Sequence, residues 1–147
     1  ECTFLGYTIG SGGRLWIAKK RKERMKKRIK ELTRRNRGRK LEAVIGELNR
    51  TLGGWLVYFR LANAKNWCSE TEQWLRRKLR CYRLKQCKRR IGIARFLMEN
   101  GCREYQAWEL AMSRKGWYRM ALSPQAHRAM GAGWFRKRGL IPIAIPK

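Results

Sequence analysis

LEAVIGELNRTLGGWLVYFRLAN, Leu41 to Asn63, is the stretch that decides the fold. Leu41, Val44, Ile45, Leu48, Leu52, Trp55, Leu56 and Phe59 fall at helical spacing and make one wide apolar stripe. Its charged residues are Glu42, Glu47, Arg50 and Arg60, which cancel, in a chain that carries +27 overall. A near-neutral apolar helix inside so basic a chain belongs at the centre of a bundle, with the positive charge on its neighbours. Gly53 and Gly54 sit inside the stripe, and each costs about 1 kcal/mol against Ala in a helix interior. The pair predicts a close approach. On one reading it is a kink or tight helix packing; on the other, a nucleic-acid backbone.

The neighbours on either side are strongly cationic. Residues 19–40 hold fourteen Lys/Arg and two Glu. Met25, Ile29 and Leu32, extended backward by Ala18, predict a helix with one thin buried seam. Glu23 with Lys27 and Glu31 with Arg35 are spaced for ion pairs in the favourable order. Like charges at this density destabilise a helix unless something neutralises them, so Lys19, Lys20, Arg24, Lys27, Arg28, Arg34 and Arg35 are candidate phosphate ligands. The turn into the central helix falls at Asn36–Lys40, with Gly38. Downstream, residues 67–90 predict a third helix. Trp67, Thr71, Trp74, Leu75 and Tyr82 share one face, and Ser69 is placed as its cap, with Glu70 and Glu72 in the first turn. Arg76, Arg80, Arg83 and Arg90 align on another face, and no acid occurs between Trp74 and Arg90. An arginine ridge backed by an aromatic seam is expected to read phosphates through forked donors.

Composition narrows the function classes. The chain has 147 residues, 44% of them apolar, with seven Trp, which is enough for a real core. A folded chain at +27 repels itself, and a polyanion relieves the repulsion, so nucleic acid is the default partner. A membrane surface is the competing partner, but the basic helices alternate with aromatic core helices, and no apolar run reaches the length of a spanning helix. Five cysteines without a CxxC pair point away from a disulfide framework or zinc knuckle and toward small core residues of a reduced, intracellular protein. His127 is the only histidine and every acid is Glu, so a His-based metal cluster and a Ser-His-Asp triad are excluded by count.

The ends complete the outline. Leu5, Tyr7 and Ile9 alternate, Gly10–Gly13 turns the chain and Leu15–Ile17 resumes, which predicts a hairpin. A two-stranded hairpin alone is marginal in water, so residues 1–18 are read as the terminal hairpin of a sheet whose other strands lie upstream. After Arg90 the predicted elements are short: a helix over Ile91–Asn100 closed by Gly101 and another over Glu104–Arg114 closed by Gly116. A third is capped by Ser123 with Pro124 at its first position, and a basic turn covers Trp134–Arg138. Leu140–Pro146 is expected to be extended. The fold class is mainly α. It comprises a short N-terminal β-hairpin, a three-helix bundle over 19–90 and a compact set of short helices over 91–147.

FLGYTIG at Phe4–Gly10, the basic helix, LGGWLVYFRLAN at Leu52–Asn63, WLRRKLRCYRLKQCKR at Trp74–Arg89 and SRKGWYRMALSP at Ser113–Pro124 resemble the C-terminal part of group II intron-encoded reverse transcriptases, or maturases. The resemblance covers almost the whole chain, in order. It implies that residues 1–18 correspond to the last hairpin of a polymerase palm and 19–90 to the thumb. Residues 91–147 then correspond to the maturase-specific region, often called domain X. It implies as partners group II intron RNA, an RNA/DNA template–primer duplex and the upstream finger and palm region, with no membrane and no small-molecule substrate. It also implies a cytoplasmic, bacterial, nucleic-acid-associated setting. The family's palm holds magnesium on a Tyr-x-Asp-Asp motif. This chain has no Asp, so none of that site carries over; by itself the chain is expected to be neither an enzyme nor a holder of a cofactor. No zinc-binding or His-Asn-His endonuclease module is visible after the maturase-like region.

The leading expectation is an RNA-binding module that clamps duplex for reverse transcription and supports intron splicing and retrohoming. Arg114, Lys115, Trp117, Tyr118 and Arg119, in a segment expected to be exposed, are candidates for finer contact. Trp117 or Tyr118 could stack on an unpaired base or plug the end of a helix. Two alternatives stay open: a polymerase thumb with no splicing role, and a stand-alone cationic protein that binds duplex DNA.

Overall fold

The computed structural model describes residues 2–144. The chain opens with a three-stranded antiparallel meander, β1 (Cys2–Phe4), β2 (Tyr7–Ile9) and β3 (Leu15–Ile17). The expected hairpin is β2–β3, with Tyr7 opposite Ile17 and Ile9 opposite Leu15. β1 is an addition to it. Leu5 and Gly6 both take positive φ, at 50° and 86°, which makes the tight two-residue turn that β1–β2 needs. The signal was hidden because Leu stands where Asn or Asp usually marks such a turn.

Helix α1 (Lys19–Leu32) buries only Met25, Ile29 and Leu32, the thin seam its spacing predicts. It stops eight residues short of Lys40. Thr33 turns back on it, donating from its backbone N–H and its hydroxyl to the Ile29 carbonyl. Its ion pairs also differ from expectation. Glu23 meets Lys19 at 3.9 Å and Glu31 meets Arg28 at 3.3 Å. Arg35 lies beyond the helix end, so the i, i+4 geometry with Glu31 no longer exists.

The central helix α2 (Leu41–Tyr58) buries Leu41, Val44, Ile45, Leu48, Leu52 and Leu56. It packs against α1 and α3, as a bundle centre should. It ends before Asn63 because the chain is drawn to the sheet: Asn63 N–H donates to the Leu15 carbonyl at 2.8 Å. The glycine pair is not explained by a helix in close approach. A Cβ on Gly53 would meet only the Ile141 side chain, at 3.9 Å, and one on Gly54 would meet nothing within 4 Å.

Helix α3 (Lys65–Gln86) begins four residues before the expected cap, so Ser69, Glu70 and Glu72 lie inside it. Thr71, Leu75 and Tyr82 of its apolar face are buried, and Trp67 and Trp74 are half-buried. The Tyr82 hydroxyl donates to the Arg39 carbonyl and accepts from the Arg39 N–H, pinning the α1–α2 loop to α3.

Five short helices follow: α4 (Arg90–Glu99), α5 (Glu104–Ala111), α6 (Trp117–Met120), α7 (Pro124–Ala129) and α8 (Ala132–Lys137). α7 starts as expected, with the Ser123 hydroxyl accepting from Ala126 N–H at 3.2 Å. α6 has no strong periodic signal; of the segment expected to be exposed, Tyr118 and Arg119 are so, but Trp117 is half-buried. Leu140–Ala144 has no regular secondary structure, and Ile145 and Pro146 of the stretch expected to be extended lie outside the described residues. The elements shorten after Arg90, but the buried side chains do not divide there. One apolar cluster runs from Ile17 through α2 and α3 to Phe135 and Ile143. Asn49 ties the last segment to α2, donating to the Gly139 carbonyl at 2.6 Å and accepting from Ile141 N–H at 3.1 Å.

Candidate nucleic-acid interface

The cations of the two basic helices meet different fates. Lys19, Lys20, Arg24, Lys27 and Arg28 are exposed along α1, and Arg34 and Arg35 are exposed just beyond it. The α3 set does not form an exposed ridge. Arg80 is 4% exposed and donates from Nε to the Met130 carbonyl at 2.8 Å. Burial, and then Arg76 beside it, pushes its pKa down to about 10. Arg83 lies 4.2 Å over the Phe96 ring and reaches Cys87 Sγ at 3.4 Å. Arg76 is half-buried and bridged to Glu72 at 3.2 Å. Arg90 is exposed but belongs to α4, past the end of α3. The reason is tertiary: the short helices cover the face of α3 that a lone helix would turn to water.

What the fold assembles instead is a trough over the other side of α3. One cleft of about 430 Å³ gathers Lys30, Arg34, Arg35, Lys78 and Lys85, with Thr33, Asn36 and Trp117. A second, of about 280 Å³, adds Lys88, Arg90 and Lys115, and Trp117 lines it too. The two clefts thus meet at one half-buried indole. Together they present eight Lys/Arg, and no Glu lines either. Lys78 records the crowding. Burial pushes its ammonium below the usual lysine range; the Cys81 thiol works against this, and Arg35 and Lys30 add to it. Beneath them burial raises the Cys81 thiol, against the pull of the Arg35 guanidinium.

A larger cleft between α1 and α2, about 480 Å³, makes the contrast. It also holds arginines, but Glu31 and Glu47 line it. Arg37 meets Glu47 at 3.1 Å and Arg39 pairs with the same carboxylate. Its two carboxylates thus offset Arg28 and Arg37 of its four arginines. None of the trough's eight cations has a carboxylate partner among the described residues, and grouped like charges in a concavity attract a polyanion.

Of the sequence candidates, Arg34, Arg35, Arg90, Lys115 and Trp117 come together in the trough. Arg114 and Arg119 are exposed beside it, and the α1 residues from Lys19 to Arg28 line neither cleft. Tyr118 is exposed, but the Arg77 guanidinium lies 3.6 Å over its ring and donates twice to its carbonyl oxygen, so one face is occupied. Lys30 falls within the cationic run 19–40, whereas Lys78, Lys85 and Lys88 lie outside the sequence candidates. Lys78 and Lys85 stand seven apart on α3, a same-face spacing that was legible, but the arginines drew the reading.

Among the described residues no group of three or more His, Cys, Asp or Glu is placed to hold a metal ion, and no helix is long and apolar enough to cross a membrane. Cys68, Cys81 and Cys102 are buried as small core residues, whereas Cys2 is exposed on the edge strand. No curated protein matches the chain. The family model described as "Group II intron, maturase-specific domain" matches residues 22–98, from the first turn of α1 almost to the end of α4. The match takes in more than half of the sequence and contains seven of the trough's eight cations, all but Lys115. The chain therefore belongs to the family of group II intron maturase-specific domains.

Proposed function

We propose that this chain binds structured intron RNA through the trough between the end of α1, α3 and α6, and so supports folding of the intron for splicing. The observation that carries the reading is the set of eight cations without a carboxylate, gathered from four separate parts of the chain. A-form RNA offers phosphates and 2′-hydroxyls more readily than base edges, so recognition by shape and charge suits such a surface. Trp117, at the junction of the clefts, gives a stacking surface for an unpaired base.

The same surface can grip a template–primer duplex if a polymerase palm accompanies it. Exposed Phe4 and Leu5, with Val57, Tyr58 and Leu61 at the end of α2, support docking of that upstream region. Large apolar side chains are clustered there, and the Tyr58 hydroxyl bonds the Leu5 carbonyl. Retrohoming is the role such an assembly would serve.

The test is the salt dependence of RNA affinity. Neutralising about five phosphates gives a log–log slope of about −4, and a slope near zero between low and moderate salt overturns the proposal.

A further inference from the structure

We infer that the cleft between α3, α6 and α7 is a second, discrete anion site, which takes a phosphate group on Arg80, Arg76 and Arg77. The cleft has a volume of about 450 Å³ and lies on the side of the Arg77–Tyr118 stack where Trp74, Leu122 and His127 also line it. Its floor is the unusual feature. Arg80 is 4% exposed, yet among the described residues it makes one hydrogen bond, from Nε to a neutral carbonyl, and a loose ring contact 5.9 Å from Phe135, and no carboxylate pairs with it. A buried guanidinium normally carries an acid partner, because the cost of desolvating it is otherwise unmet.

The terminal nitrogens of Arg80 are not sealed in. Thr71 Oγ1 is the one fully buried, unpartnered polar side-chain atom among the described residues, so the Arg80 nitrogens keep access to the cleft. Two more arginines line the same space. Arg76 is bridged to Glu72, while Arg77 gives Nε and one Nη2 hydrogen to the neutral Tyr118 carbonyl and has no carboxylate partner among the described residues. Glu70 is the one acid on the rim. The unmet requirement is therefore for an anion with several acceptor oxygens, which a phosphate supplies and forked guanidinium donors bind well. The source of the phosphate is either the backbone of a bound RNA strand or a free phosphate.

The chain carries its own reporter. His127 is the only histidine and lines this cleft, so its ring protons give a unique resonance. Inorganic phosphate titrated into the full chain at constant ionic strength should shift that resonance saturably, and acetate should not. A short oligoribonucleotide without terminal phosphate distinguishes the sources: a matching shift assigns the site to RNA backbone, and a shift with inorganic phosphate alone assigns it to free phosphate. Arg80→Met should weaken the response by on the order of tenfold. Leu122→Trp should abolish it by filling the mouth from an exposed position, leaving the arginines in place. Arg14→Gln, which removes a distant exposed cation, should not change it. The assignment is overturned if neither phosphate nor RNA moves the resonance, if acetate moves it equally, or if Leu122→Trp retains the full response.

Discussion

Helices α1 and α3 are both cationic and opposite in use. α1 buries three residues and leaves nearly all its cations in water. α3 buries eight, an arginine among them, and spends much of its charge inside the protein: on a carbonyl from Arg80, a phenyl ring from Arg83 and a carboxylate from Arg76. Density of charge along a helix therefore does not identify the groups that are free to meet a phosphate. The number of neighbours around the helix does. α3 is covered from two sides and keeps available only the cations that face the remaining gap.

That contrast can be broken by substitution. The largest effect is expected for Arg76, Arg80 and Arg83 changed together to Gln, which should lower the unfolding free energy by about 3 kcal/mol through a lost buried hydrogen bond, a lost ring contact and a lost ion pair. Urea unfolding reads this directly, and an unmoved midpoint would mean that the three are surface ligands after all. Next come Arg35, Lys78 and Lys85 to Gln. Affinity for intron RNA should drop by on the order of a hundredfold at low salt, and the salt slope should shrink by about 3, without loss of thermal stability. The matched set on α1, Lys19, Lys20 and Arg24 to Gln, removes equal charge from outside the trough and should cost about tenfold or less. Equal losses from the two sets in filter binding would show that total charge, not the trough, governs binding.

The smallest effect concerns His127. Burial, then Arg80, then Arg76, hold its pKa below 6.5. The folded protein thus favours the neutral ring, and between its folded value and 6.5 the unfolded chain binds the extra proton. Stability contributed by this group falls as pH drops through 6.5 and levels off below the folded value. An NMR titration should place the midpoint below 6.5, and Arg80→Met should move it upward. A midpoint at or above 6.5 would place the arginines away from the ring.

Much of the architecture was legible because it follows from local periodicity. The stripe from Leu41 to Phe59, the seam of Met25, Ile29 and Leu32, and the Ser123–Pro124 start each encode one face or one terminus, and each lies where the spacing placed it. β1 was missed because its turn uses Leu5 at positive φ, which residue preference argues against. The start of α3 was misplaced because Ala64 caps it with no side-chain bond to announce it.

The sequence alone determined that this is a cationic, mainly helical chain built around one neutral apolar rod, because charge and periodicity are sums over neighbours in the chain. Only the tertiary structure decided which cations are available. Lys30, Lys78, Lys88 and Lys115 are far apart along the backbone, and the packing of α6 on α3 is what gathers them around Trp117. The same packing takes Arg80 off the open surface and leaves it on the floor of a separate cleft, because a helix face is solvent or core only once a second element has covered it.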